Sequence, residues 1–374
     1  MVLCWILGSL EWRVVVKKRL IILGTRGTPA RYGGFETLAE QLSRRLAGLL
    51  IGVQVPPTIG TGSVQRRLLT HRYFETALGT LRSLRRDQRH EDFAFLVVNP
   101  ANVLIALRLI WAGRIVVIHM DGRDDLRGKW PLPVRLLYRC CQRLCVWSGI
   151  PLIFDSVAVR SEIGGRHAEQ YAVIAYGGCQ ACEQNRMAWQ ASHSSQTFIT
   201  LARAEPENQL VEIVRSVSAM VAPVPLRVVT TTRHKGRYWN SLVAEVNESG
   251  VAKLIDGIWD KEQLCSMYRE VSAVIHGHTV GGTNPSLVLA LCHGTPVFAH
   301  DNPYNREVAG SLARYWKDEQ ELTKLLDEFN PATWPYDQAA VDDFNHRYKW
   351  DDVVAKYKKV LGLEAPMNPE VPSK

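Results

Sequence analysis

Apolar positions along the chain fall into short, near-continuous runs separated by stretches of helical periodicity. The first clear run, "RLIILG" at 19–24, enters "TRGTPARYGGFET" and then a helical pattern over 38–50. Such runs predict buried parallel strands, and the strand–loop–helix order predicts one unit of a doubly wound sheet. A second strand is expected in "VQVPP" and a helix over 70–89. "FAFLVVN" and "RIVVIHMDG" predict two more strands, followed by a helix over 131–147 and a short strand in "PLIFDS". The text turns polar over 183–196, which reads as an interdomain linker. The alternation then restarts with "TFITLARAEPEN", a helix in "NQLVEIVRSVSAMV", and strands in "LRVVTTT", "AKLIDG", "SAVIHGH" and "TPVFAH".

This pattern predicts an α/β protein with two Rossmann-like doubly wound domains, 19–182 and 197–345, facing a central cleft. A last helix over 346–362 is free to return to the first domain, and the tail from Ala365 reads as disordered. In such sheets ligands sit outside the carboxyl ends of the strands.

Composition adds bounds. The 374 residues are 46% hydrophobic and 22% charged, enough for two cores in a globular chain. A formal charge of +8 suits an acidic partner, whether nucleotide, phospholipid surface or nucleic acid. No nucleic-acid-binding module is recognisable, so that partner is not expected. No apolar run reaches the ~20 residues of a membrane span, and the apolar start at 1–10 lacks a basic leader, so a cytoplasmic protein is expected. The eight cysteines do not form two C-x-x-C pairs at zinc-ribbon spacing; Cys179-x-x-Cys182 stands alone, and reduced core cysteines are the expectation.

Several short motifs carry candidate chemistry. In "TVGGTNPS", Gly281, Gly282, Thr283 and Asn284 precede Pro285, which suits a helix start. Free N–H groups and the helix dipole there favour an anion such as a diphosphate; a capped helix after a tight turn is the plainer alternative. Arg203 follows a strand and can clamp a phosphate, or pair with Glu205 or Glu207. Gly33 and Gly34 let backbone approach a phosphate, or simply turn the chain. His119 and Asp121 end a strand, where either can meet a sugar hydroxyl or His119 can be a satisfied core group. His276 and His278 share a strand face, but no third ligand follows at a convincing spacing, so no metal site is expected. Arg135, Arg139 and Arg143 recur every four residues, preceded by Arg127, Lys129 and Trp130. With "RSLRRDQRH" at 82–90 they make a basic stripe fit for an anionic membrane surface or for plain solvation.

These motifs together resemble a known family. "GTRGTPARYGGFETLAEQL", "VVIHMDGRDDLRGKW", "ARAEPENQ", "HGHTVGGTNPS" and "HDNPYNREVAG" are similar, in order, to segments of bacterial glycosyltransferases of family 4, the group that includes rhamnosyltransferases of polysaccharide assembly. The resemblance runs from about Arg19 to Tyr357. It implies a GT-B fold and a retaining, metal-independent transfer from a nucleotide sugar, without a further cofactor, to a saccharide or lipid-linked saccharide at the inner membrane face. By position it implies that Arg203 and Asn208 meet the diphosphate, Gly281 to Asn284 line the diphosphate and sugar, and Gly257 to Trp259 flank the base. Gly33 and Gly34 would close over the phosphates, with Asp121 or His119 facing the sugar. Where many relatives carry Glu-x7-Glu, this chain has Gly281 and Leu289, so the ribose loses a hydrogen-bond acceptor. A non-catalytic relative that binds a nucleotide or saccharide, or scaffolds an assembly complex, is the alternative.

Overall fold

The computed structural model describes residues 19–25, 33–47, 52–54 (backbone), 93–179, 196–231, 236–335 and 337–363. The expected helix over 70–89, the basic segment 82–90, most of the linker, the tail, Cys4 and Cys182 lie outside the described residues.

The apolar runs form two six-stranded, wholly parallel sheets. The first contains β1 (Arg19–Leu23), β2 (Gly52–Gln54), β3 (Phe93–Val98), β4 (Ile115–His119), β5 (Leu152–Phe154) and β6 (Ala172–Val173), in the order β2-β1-β3-β4-β5-β6. All six residues of β3, "FAFLVV", are buried, as a strand covered on both faces requires. The second contains β7 (Phe198–Leu201), β8 (Leu226–Val229), β9 (Ala252–Ile255), β10 (Ala273–His276), β11 (Val297–His300) and β12 (Ala313–Trp316), in the order β12-β11-β10-β7-β8-β9. The edge strands β6 and β12 went unpredicted: β6 has two residues, and "ARYW" has no long apolar run.

Helices α1 (Gly34–Ala47), α2 (Val103–Trp111), α3 (Leu132–Trp147) and α4 (Val157–Gly164) accompany the first sheet. Helices α5 (Leu210–Ser218), α6 (Arg237–Ser249), α7 (Lys261–Glu270), α8 (Pro285–Cys292), α9 (Pro303–Ala309), α10 (Glu319–Asp327) and α11 (Gln338–Arg347) accompany the second. Helix α12 (Trp350–Leu361) crosses back. Its apolar stripe, Trp350, Val353, Val354, Tyr357 and Leu361, joins Leu20, Ile22 and Leu96 in one core of the first sheet.

The crossing is tight. Gly178 N–H donates to the Tyr348 carbonyl (2.7 Å), and Trp350 Nε1 donates to the Gly178 carbonyl (2.9 Å). A Cβ on Gly177 would come within 2.6 Å of the Trp350 ring, so only glycine fits there.

The strand order reverses between β1 and β3 and again between β7 and β10. These two reversals are where a doubly wound sheet opens a crevice at its carboxyl edge.

Candidate functional site

The loops leaving the carboxyl ends of the two sheets meet. Arg203 follows β7 and the glycine loop 277–284 follows β10, so both stand at the reversal of the second sheet. Glu207 ties the two together: its carbonyl accepts Thr279 N–H (2.9 Å) and Thr279 Oγ1–H (3.1 Å). Asn208 is buried and donates Nδ2–H to the Arg203 carbonyl (2.8 Å), so it holds the backbone of this turn. Gly277 packs on that turn, where a Cβ would come within 2.5 Å of the Asn208 carbonyl oxygen.

Asn284 caps α8. Its Oδ1 accepts Ser286 N–H (3.0 Å) and Ser286 Oγ–H (2.8 Å), and Pro285 follows as the first helical residue. Gly281 and Gly282 meet the other domain: a Cβ on Gly122 would come within 2.8 Å of the Gly281 backbone, and one on Gly282 would collide with the Asp155 carboxylate. Asp155 Oδ2 accepts Thr283 N–H (3.1 Å), and Thr283 Oγ1–H donates to the Asp155 carbonyl. An N-domain carboxyl group therefore occupies a backbone donor of the loop read as an anion site.

Sequence reading missed Asp155. The available signal was its place after a strand, immediately before Ser156, the N-cap of α4. Burial pushes its carboxyl up to about 8, and nearby Asp121 adds to the rise. Asp121 is pushed up to about 6 by burial and by Asp124, against the pull of Arg127 and Arg203. It adopts a left-handed backbone (φ 60°), which takes it out of the strand's alternation. Its N–H donates to His119 Nδ1 (3.2 Å). His119 itself is fully buried and held down at about 3 by burial. Its ring lies 5.2 Å from Phe35, 6.1 Å from Tyr176 and 6.3 Å from Tyr357. His119 thus supports the cleft as a neutral core group, and Asp121 is the one of the pair among the charged cleft residues. Gly34 lies beside Tyr176, 3.0 Å from a hypothetical Cβ to its ring, which sets the glycine pair near the same wall.

A charged network spans the domains below the loops. Lys129 Nζ donates to both oxygens of Glu205 (3.0 and 3.1 Å), and Arg203 Nη2 stands 3.5 Å from Glu205 Oε2. Arg127 Nε lies 2.7 Å from Asp124 and its Nη1 3.9 Å from Glu207. Partial burial pushes Glu205 up, yet Arg203 and Lys129 hold it below its ordinary range, whereas burial raises Glu207. Arg127 and Lys129 therefore belong to the cleft and leave the stripe proposed for α3. Arg135 also turns inward, to the Asp125 carbonyl (2.9 Å), while Arg139 reaches Asp125 Oδ2 (3.4 Å) and stays exposed. Arg143 stays exposed.

A second cross-domain contact joins α9 to α4. Glu307 accepts Ser156 Oγ–H (2.8 Å), Val157 N–H (2.6 Å) and Ala158 N–H (2.8 Å), capping a helix of the opposite domain. Tyr304 O–H donates to Glu162, which also pairs with Arg123.

Gly257 and Trp259 follow β9. Trp259 is half-exposed and covers Gly257, 3.2 Å from a hypothetical Cβ. Leu289 on α8 and Ile258 both pack against the core of the second sheet, so the helix position read as a ribose contact carries an apolar packing group. His276, buried, and His278, half-buried, stack 4.4 Å apart, both held neutral by desolvation, with Asn305 donating to the His278 carbonyl (3.0 Å).

No protein-family model and no curated protein matches the sequence. Solved structures do match, over nearly the whole chain. A sucrose-phosphate synthase from Thermosynechococcus elongatus aligns with a TM-score of 0.70 at 11% identity, covering 91% of this chain and 98% of that one. A glycosyltransferase from Rickettsia africae aligns at 0.66 and 11%, covering 93% and 99%. Anabaena HepE in complex with UDP and glucose aligns at 0.67 and 16%, covering 92% and 99%. At these identities the likeness establishes the fold, which is GT-B.

Proposed function

We propose that the chain is a glycosyltransferase that takes its sugar from a nucleotide donor. The observation that carries this is the convergence of Arg203 and the Gly281–Asn284 loop at the strand-order reversal of the second sheet, opposite Asp121 and Asp155 of the first. HepE, similar in fold, was solved with UDP-glucose.

In this reading the diphosphate lies at the start of α8, with Arg203 as its cationic clamp and Thr283 N–H as a donor. Asp155 yields that donor when the donor substrate arrives. Asp121 faces the sugar, and stabilisation of the departing diphosphate carries most of the rate. The transfer is retaining and metal-independent, moving a hexosyl or deoxyhexosyl group, rhamnosyl being the case the motifs suggest. The acceptor is a lipid-linked or growing saccharide of a cell-surface polysaccharide.

The N-domain surface supports work at a membrane face. The exposed side of α3 is more apolar than its arginine spacing suggests: Leu132, Leu137 and Trp147 are 65%, 63% and 80% exposed, and Trp111 on neighbouring α2 is 82% exposed. Apolar and aromatic groups beside Arg139 and Arg143 suit an anionic lipid interface. No described helix is long and apolar enough to cross a membrane.

Leu289 and the carboxyl group on Thr283 favour a second reading, a non-catalytic relative whose donor site is closed. Calorimetric titration with UDP, dTDP and GDP separates the two, using the natural protein, Arg203→Ala and Leu289→Glu. Saturable binding lost in Arg203→Ala supports the transferase. Binding only after Leu289→Glu supports the closed site, and no binding by either overturns the donor site itself.

A further inference from the structure

A cluster of metal-ligating side chains lies outside the cleft. Cys179 follows the glycine pair where the chain leaves the first domain, Cys265 lies on α7, and His293 is the C-cap of α8. Their two sulfurs and one ring nitrogen all lie within 4.8 Å of one another, and the sulfurs are 3.0 Å apart. All three residues are buried, at 7%, 4% and 4% exposure.

We propose that Cys179, Cys265 and His293, with a water as the fourth ligand, bind a zinc ion that pins the interdomain crossing to α7 and α8. Tetrahedral zinc with Zn–S near ~2.3 Å and Zn–N near ~2.0 Å separates two sulfurs by roughly 3.8 Å and sulfur from nitrogen by roughly 3.5 Å. The sulfurs stand at 3.0 Å and no pair of donors is more than 4.8 Å apart, so side-chain shifts of about 1 Å bring all three onto one ion. Two thiolates and one imidazole form a soft donor set that selects zinc over magnesium, calcium or manganese. Two thiolates and Zn²⁺ also sum to zero charge, which removes the desolvation cost a buried thiolate carries alone. Binding releases the two thiol protons to solvent. The histidine is oriented from outside the cluster: its ring stacks on Tyr268 at 5.9 Å, and Tyr268 is fixed by Thr295 Oγ1–H to its carbonyl (2.9 Å).

The consequence for the cleft is mechanical. Helix α8 begins at Asn284–Pro285 in the glycine loop and ends at His293, so an ion at its C-cap holds the far end of the element that shapes that loop. The ion takes no part in sugar transfer, and the inference does not depend on the transferase reading.

The test uses the full chain, freed of metal under reducing, anaerobic conditions and titrated with Co²⁺. The expected result is saturation at one equivalent, with thiolate-to-cobalt charge transfer, tetrahedral ligand-field bands, and displacement by Zn²⁺. Cys140→Ser, an exposed cysteine outside the cluster, should titrate like the natural protein. Cys265→Ser and His293→Ala, checked for fold by circular dichroism, should bind ~10-fold or more weakly. Absence of saturable bands in the natural protein overturns the proposal, as do bands unchanged in folded Cys265→Ser. Recovery of a Cys179–Cys265 disulfide that survives the reduction also overturns it, since the thiols then serve as a covalent link.

Discussion

Replacing Asp155 by asparagine tests the electrostatics of the cleft most directly. An amide has the shape of a neutral carboxyl group and still accepts Thr283 N–H, so packing is preserved while the titration is removed. The Asp155 carboxyl is pushed from its ordinary 3.8 up to about 8 by burial, with Asp121 adding to the shift. The folded state therefore binds a proton that the unfolded chain has already lost. Stability falls as pH rises through this range and levels off above about 8. One such group changes stability by at most ~1.4 kcal/mol per pH unit, so between about pH 6.5 and 8 the loss reaches ~2 kcal/mol. The window matters. Asp121, raised to about 6, acts in the same direction below it. His119 and His276, both lowered to about 3, act in the opposite direction up to their ordinary 6.5, and His278, lowered well below its ordinary value, shares that direction. Above 6.5 those contributions are spent. Urea midpoints read by tryptophan fluorescence at three pH values across the window should show the natural protein weakening and Asp155→Asn nearly level, so the variant gains as pH rises. Parallel curves, or a variant that loses ground with rising pH, would refute the assignment of a protonated carboxyl group to this contact.

Two further changes probe the way the domains are held. Glu307→Ala removes three hydrogen bonds at the start of α4, so domain docking should weaken by about 2 kcal/mol and the radius of gyration from X-ray scattering should rise. Gly177→Ala places a methyl group within 2.6 Å of the Trp350 ring; overpacking there should cost ~1–3 kcal/mol, seen as an earlier thermal transition, and Trp350→Leu in the same chain should recover part of it.

The sequence by itself determined the layered architecture. Buried parallel strands need apolar residues on both faces, so "FAFLVV" and "RIVVIH" announce themselves locally, and strand–helix alternation restarting after a polar stretch predicts two sheets. The start of α8 was equally legible, because Asn284 and Pro285 act on their immediate neighbours. What failed was whatever depends on distant partners. Helical spacing placed Arg135 and Arg139 on one face but carried no sign of Asp125, which bonds to both and draws Arg135 inward. Arg127 and Lys129 read as surface cations until Glu205 and Glu207, about eighty residues away in sequence, appeared beside them. His119 and Asp121, two residues apart, part company because one enters an aromatic core and the other takes a left-handed turn. Only the tertiary structure brings Asp155 to Thr283 and Cys179 to Cys265 and His293. Charge, burial and ligand geometry are properties of where chains cross, and local periodicity records only which face of its own element a residue occupies.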